Sequence, residues 1–571
     1  GAARGPGGTG GPYHAAPTQR SGSAAGLPHL VGSSGNHTIG TSLRGEYPLR
    51  EPAAAPAAPA NTAAVVTPPA AKAAVFDPTT AMELPGTRTE NTRTYDNPDG
   101  TQTTEFSAGP LNYQRPDGAW APVDPSLVAA GGAAAGWQNA AGSVDVRFAA
   151  RAGSGPMVRV GLDAGHALAF GLAGASAAAG AVTGASVTYR GAAPQTDLRF
   201  DNGTAGVEET LVLHSAAAPG RYVFPLQLTG LTARQAGAEV ELVDESGAVR
   251  AVLPAGTMRD SAATPAVSTG VTYTLSTVDS LPALVVTLDR AWLTDPARRF
   301  PVRVDPTVNW WGADSTMVVH GGSSTANPTE LLVGDQGGSA AASYLKFNGL
   351  VSSLTNQTIY GAQLEVAAYD GPSCTPRPVG VYPVTGSWTA GSGFSYPGPS
   401  VGSALVSSSF AYGYIALGQS RSACPAKAVL LDLGTRGRDL VQGWVNGQPN
   451  NGLSLRASAT DPLGWKGFAG TGTANPPTLF VTHSPYNARY SISNPVPNPP
   501  VLQNQAGKVN ITVTNLGAET WTPSTYYLAY RAFNAKTDKL VAQQRSANLT
   551  GNVARNGRVT LAATINAMPA G

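Results

Sequence analysis

Four side chains in one stretch have the chemistry to hold a sugar polymer. Trp465 lies in Pro462-Leu463-Gly464-Trp465-Lys466-Gly467-Phe468, a Gly-flanked segment that reads as a loop. An indole there offers a flat apolar face for a pyranose ring, and Lys466 beside it offers a cation. Arg456 adds a planar fork that fits a carboxylate, as an acidic polysaccharide would require. Trp388 follows a strand end, where an indole more often packs inward, and stands as the second aromatic candidate. Trp310 and Trp311 lie in the same region, and Trp444 shares an apolar helical stripe with Leu440, Val441 and Val445, which reads as core. Cofactor-type chemistry is thinner. Asp314, Asp335 and Asp432 are loop or strand-end carboxylates of the kind that bind calcium; no other cofactor is expected. Asp432 also reads as a simple strand end, with Thr435 as cap of the helical turn that follows.

Catalytic constellations are not assembled by spacing. There is no His-Glu-x-x-His, P-loop or Cys-x-x-Cys. Gly398-Pro399-Ser400-Val401-Gly402 spells Gly-x-Ser-x-Gly, but a nucleophile elbow needs a strand before the Ser and a helix after it, and this one sits among Gly, Pro and Ser. A triad drawn through His320, Asp335 and Ser343 has no better basis than any other in a Ser-rich chain. Glu208 and Glu209 are adjacent on a strand and so face opposite sides, while Asp244-Glu245 falls in a turn. The expectation is a non-enzymatic chain.

The elements that must position these residues are strands. The chain has 571 residues, with 68 Gly, 46 Pro and only 13% charged residues. Short β-type runs alternate with turn signals such as Asn97-Pro98-Asp99-Gly100 and Arg115-Pro116-Asp117-Gly118, where Pro presets φ and Gly accepts the left-handed position. The fold class is therefore all-β: tandem β-sandwiches, jelly-roll-like and immunoglobulin-like, after a disordered leader. Residues 1–75 form that leader, Ala/Pro-rich over Ala53–Val75. Residues 76–306 form a β-rich domain, with hairpins expected at 92–106, 111–123, 207–228 and 238–253. Residues 307–484 form a second sandwich with one helix near Leu440–Val445. Residues 485–571 form the third, which stops early.

Net charge is +2, so electrostatics gives no reason to invoke nucleic acid. No run of 18 apolar residues exists to span a membrane as a helix. Cys374 and Cys424 lie in one segment, consistent with a disulfide in an oxidising compartment or with two buried thiols. The chain begins Gly1-Ala2-Ala3-Arg4 without a signal-peptide pattern and ends Met568-Pro569-Ala570-Gly571. It reads as a piece of a larger polypeptide whose downstream domains are its partners.

Three stretches resemble the N-terminal region of large actinobacterial secreted proteins that often carry Rhs (YD) repeats: Thr94–Thr101, Val207–Leu213 and Pro301–Val308. A further ordered set resembles the DNRLRE domain, a carbohydrate-binding-module-like sandwich. It comprises Leu331–Gly334, Tyr344–Phe347, Ile359–Leu364, Ser387–Thr389, Asp432-Leu433 with Trp444, Asn451–Leu453 and Pro477–Leu479. The resemblance implies an extracellular binding or scaffolding region that recognises a polysaccharide or cell-surface glycan through 307–484. The alternatives it leaves are part of a polysaccharide-degrading enzyme with its catalytic domain elsewhere, or the structural front end of an Rhs-type toxin.

Overall fold

The computed structural model describes residues 37–39, 65–66, 76–98, 101–131, 136–153, 155–262, 266–310, 315–321, 323–336, 338–390, 393–414, 423–484, 488–492, 506–517, 519–533 and 540–567. The expected leader, Trp311, Asp314 and the Pro-rich 493–500 lie largely or wholly outside them.

The fold is all-β, in tandem sandwiches. In the first, an eight-stranded antiparallel sheet runs in the order Val271–Val278, Leu281–Leu288, Arg221–Thr229, Ala167–Phe170, Val158–Gly161, Asp145–Ala149, Gly136–Ala141, Asp124–Ala129. It faces a second sheet built around Ser186–Ala193, Thr196–Asn202 and Gly206–Leu213, which Val302–Asp305, Thr307–Asn309 and the hairpin Glu239–Val243/Val249–Leu253 complete. Alternating apolar side chains from both faces, among them Phe148, Phe170, Phe200, Phe224, Leu211 and Val286, interdigitate in one core. The expected 207–228 hairpin is not formed. Strand Gly206–Leu213 pairs with Thr196–Asn202, while Arg221–Thr229 joins the opposite sheet, so the link between them crosses the sandwich.

The second sandwich contains a path of eleven paired strands that curves back on its own core. One half carries Thr478–Ser484, Thr358–Asp370, Lys466–Ala469 and Glu330–Asp335; the other carries Ala340–Leu345, Leu453–Arg456, Arg377–Pro383 and Val406–Phe410. Leu364, Val481, Phe468, Leu345, Val381 and Leu455 are buried between them. Helix Gly434–Val445 closes this core with Val441, Trp444 and Val445. Thr435 is not its cap. Leu433 occupies that position without a side-chain hydrogen bond, and the Asp432 carboxylate accepts from the Gly434 N–H instead, 2.9 Å.

The strand pairing crosses the division expected at residue 306. Hairpin Thr92–Asp96/Gln102–Ser107 forms as the turn chemistry predicts, but Gln102–Ser107 pairs with Thr478–Ser484 of the second sandwich over six positions. Thr103 and Thr482 hydroxyls meet at 2.9 Å, and Thr104 Oγ1 meets His483 Nε2 at 2.8 Å. After this hairpin the chain crosses to the first sandwich. Sequence periodicity identifies such strands but carries no information on a partner more than 370 positions away.

The third sandwich pairs Ala488–Ile492, Gly507–Asn515 and Arg558–Ile565 against Tyr526–Phe533 and Leu540–Asn548, around buried Trp521, Val513 and Leu561. Two short segments expected to be leader add strands to it: His37–Ile39 pairs with Tyr526–Leu528, and Val65–Val66 with Tyr490 and Ser491.

Candidate functional site

The four sequence candidates occupy two separate places, and both are occupied by protein. Trp465 is 1% exposed. The guanidinium of Arg259, from the first sandwich, covers its ring at 4.4 Å. A stacking platform must offer an open face, so Trp465 is not one in this structure. Of the flanking glycines, Gly464 closes a turn on the Asp461 carbonyl, while Gly467 is a close-packing position. Strand Lys466–Ala469 begins next to Trp465, and a Cβ on Gly467 would stand 2.4 Å from Glu330 Oε1. Lys466 is also 1% exposed, with Nζ donating to the Trp465 carbonyl at 3.3 Å. Burial, and then Arg377 nearby, push its amine down to about 8. It cannot serve as a solvent-facing cation for a polyanion.

Trp388 and Arg456 meet around Tyr344. Trp388 is 5% exposed, donates from Nε1 to the Asn451 carbonyl at 2.8 Å, and packs on Tyr344 with ring centroids 5.9 Å apart. The Lys346 ammonium lies over its ring at 4.3 Å. Arg456 donates to the Tyr344 hydroxyl, to Pro397 O at 2.9 Å and to Ser454 Oγ at 3.2 Å. Its fork is thus engaged by loop backbone oxygens and by the hydroxyls of Tyr344 and Ser454 on neighbouring strands rather than offered to a carboxylate. These residues pin the 393–402 loop to the sandwich.

Cys374 and Cys424 are joined as a disulfide. It closes a 50-residue span holding strands Arg377–Pro383 and Val406–Phe410. Of the calcium candidates, Asp335 accepts from the Gly338 N–H and Asp432 caps a turn. Among the described residues no group of three His, Cys, Asp or Glu side chains could hold a metal ion. Ser343 Oγ donates to the Leu332 carbonyl, so the drawn triad has no free nucleophile. Ser400 is followed by no helix.

What sequence reading missed is the charged junction between the sandwiches. Arg259 Nη1 donates to Asp370 Oδ2 at 2.6 Å and to Glu330 Oε1 at 3.2 Å, across 111 and 71 positions. Burial raises the Glu330 carboxyl; the Arg259 charge opposes this and Asp370 adds to it. Burial raises Asp305 to about 6, although Thr307 Oγ1 donates to it at 2.7 Å. Burial, then Asp305 and Asp201, raise Glu208 as well. Glu209 points the other way, as strand alternation requires. It is buried against Leu168, Phe170 and Phe224 of the first core, where burial, and then Asp305, push its carboxyl well above the usual range. No local spacing signals this junction, because its members come from five strands. Such an arrangement can fasten two layers and take up protons. Acid–base hydrolysis would instead need two carboxyls converging on an open cleft.

The first sandwich's class is thereby set as one β-unit clasped to another by a leading hairpin and a buried ion cluster. No family model matches the chain. The tRNA nuclease WapA of Bacillus subtilis (strain 168) is 25% identical over 260 residues, a match covering 42% of this chain and 11% of that protein. The tRNA(Glu)-specific nuclease WapA of Bacillus subtilis subsp. natto (strain BEST195) matches with the same identity and coverage. The chain thus matches about a tenth of the length of these relatives.

Proposed function

We propose that this chain is a non-catalytic scaffold, the structural front region of a larger secreted polypeptide of the Rhs-toxin kind. The observation that carries this reading is the use made of the candidate residues. Trp465, Lys466, Trp388 and Arg456 all brace packed layers, and Arg259 with Glu330 and Asp370 ties two sandwiches into one unit. The limited likeness to a tRNA nuclease is in keeping with it, since the match covers only 11% of that protein. The disulfide and the low charge suit an extracellular location. A glycan platform at Trp465 would need that ring uncovered, and the structure gives no reason to keep that reading.

The test is to incubate the 571-residue chain with total tRNA, and separately with a panel of polysaccharides. Intact tRNA and intact polymers, with the chain folded throughout, are expected. Cleavage of either substrate, lost on a single substitution in this chain, would overturn the scaffold reading.

A further inference from the structure

Where the chain crosses from the leading hairpin to the first sandwich, it leaves a cleft of about 440 Å3. That lies within the range of about 300–1,000 Å3 typical of small-molecule sites. Three regions far apart in sequence build it: Glu90, Pro110, Val123 and Pro125 of the crossing segment; Asn139, Gly142–Val144, Val146 and Leu162 from one side; Asn202–Thr204, Ala248–Arg250 and Trp310 from the other.

The lining chemistry is specific. Trp310 supplies one half-buried aromatic surface, held in place by its backbone N–H bonding the Ala205 carbonyl at 2.9 Å. Polar groups surround it: the Glu90 carboxylate, the Ser143 hydroxyl, the Arg250 guanidinium and the Asn202 amide. Arg250 is fixed by Asp163 and, at 3.7 Å, by Asp244, so it is a positioned donor rather than a free charge. Asn202 is 2% exposed, and its Nδ2 donates to Pro125 O at 2.8 Å. Its Oδ1 is buried without a hydrogen-bond partner. An acceptor left in that state costs free energy that a donor brought by a ligand would recover.

We propose that this cleft binds a short uncharged oligosaccharide. The walls are mixed: Val123, Val146, Leu162 and Val249 share them with Glu90, Asn139, Ser143 and Arg250 around a single indole. That pattern pairs with a molecule carrying many hydroxyls, each both donor and acceptor, on a ring with one apolar face. Arg250 is already paired with Asp163 and Asp244, so the cleft offers no free cation to a polyanion. The site lies at the edge of the first sandwich, where Thr204 also bonds the Thr473 carbonyl of the second, and it adds to the scaffold reading without depending on it.

The experiment uses the 571-residue chain and titrates cello-, xylo-, malto- and chito-oligosaccharides by calorimetry. At least one binds to the wild-type chain. Ser143→Trp, an exposed position whose enlarged side chain would fill the cleft, weakens that binding at least tenfold. Trp310→Ala does the same, and its fold is checked by an unchanged circular dichroism spectrum. Trp388→Phe, remote from the cleft, leaves the affinity within twofold. No binding by any of the four series, or binding unaffected by Ser143→Trp, would each overturn the proposal.

Discussion

Removing the guanidinium of Arg259 tests how firmly the two sandwiches are joined. Arg259, Glu330 and Asp370 are 15%, 24% and 23% exposed, so water screens them only in part. Breaking a buried ion pair by deleting one partner costs about 3–5 kcal/mol, because the remaining charges lose their counter-ion. Here two carboxylates would be left, next to a Trp465 face that also loses a cation–π contact of about 0.5–2 kcal/mol. The partial exposure argues for the lower half of the combined range, so Arg259→Met should cost about 4 kcal/mol. At about 2–4 °C per kcal/mol for a domain of this size class, the melting transition should fall by about 10 °C. Differential scanning calorimetry measures it. Arg115→Ala is the comparison, since its pair with Asp117 is 49% and 58% exposed and solvent screening leaves it little effect on stability. The triple change Arg259→Met, Glu330→Gln, Asp370→Asn should recover most of the loss. A drop for Arg259→Met no larger than that for Arg115→Ala would refute the junction as a clasp.

Further outcomes follow from the same contacts. Asp305, raised to about 6 against an unfolded value near 3.9, binds a proton more readily in the fold; the stability this gives is full below about pH 4 and is lost as pH rises through 6, on the order of 2–3 kcal/mol. Asp305→Asn should flatten that fall in urea melts taken between pH 4 and 7. His483, buried and pushed down to about 4, acts in the opposite sense: its contribution is present above about pH 6.5 and lost as pH falls through 4, so His483→Gln should remove an acid-side loss. Trp465→Ala should cost about 3–5 kcal/mol in chemical denaturation while leaving any saccharide affinity unchanged. Replacing both Cys374 and Cys424 by Ala opens a 50-residue loop and should cost about 2–4 kcal/mol, seen as a lower denaturation midpoint.

Local chemistry made much of this architecture readable before the structure. Asn-Pro-Asp-Gly and Arg-Pro-Asp-Gly announce the hairpins at Asp96↔Gln102 and Gln114↔Trp120, because Pro and Gly preset backbone angles regardless of what lies elsewhere. The stripe of Leu440, Val441, Trp444 and Val445 announces the helix, although its first turn begins six residues earlier than the stripe, at Gly434. The pairing of Gln102–Ser107 with Thr478–Ser484 was not readable, since a strand's alternation says which face is buried and not which strand lies beside it. The same limit explains the candidate residues. A Gly-flanked Trp465 looks exposed when only its neighbours in sequence are considered; Arg259, more than two hundred positions earlier, covers it. Trp310 stood out only as an aromatic residue and Asn202 carried no signal of a cleft, because that cleft exists only once three distant segments converge.

The scaffold role is tested most directly by the chain's action on RNA. The 571-residue chain, folded and disulfide-bonded, is incubated with total tRNA and the products are resolved by denaturing gel electrophoresis. The account predicts tRNA of unchanged length at every time point; shortened tRNA that accumulates with time, and ceases to do so after a single substitution in this chain, would contradict it.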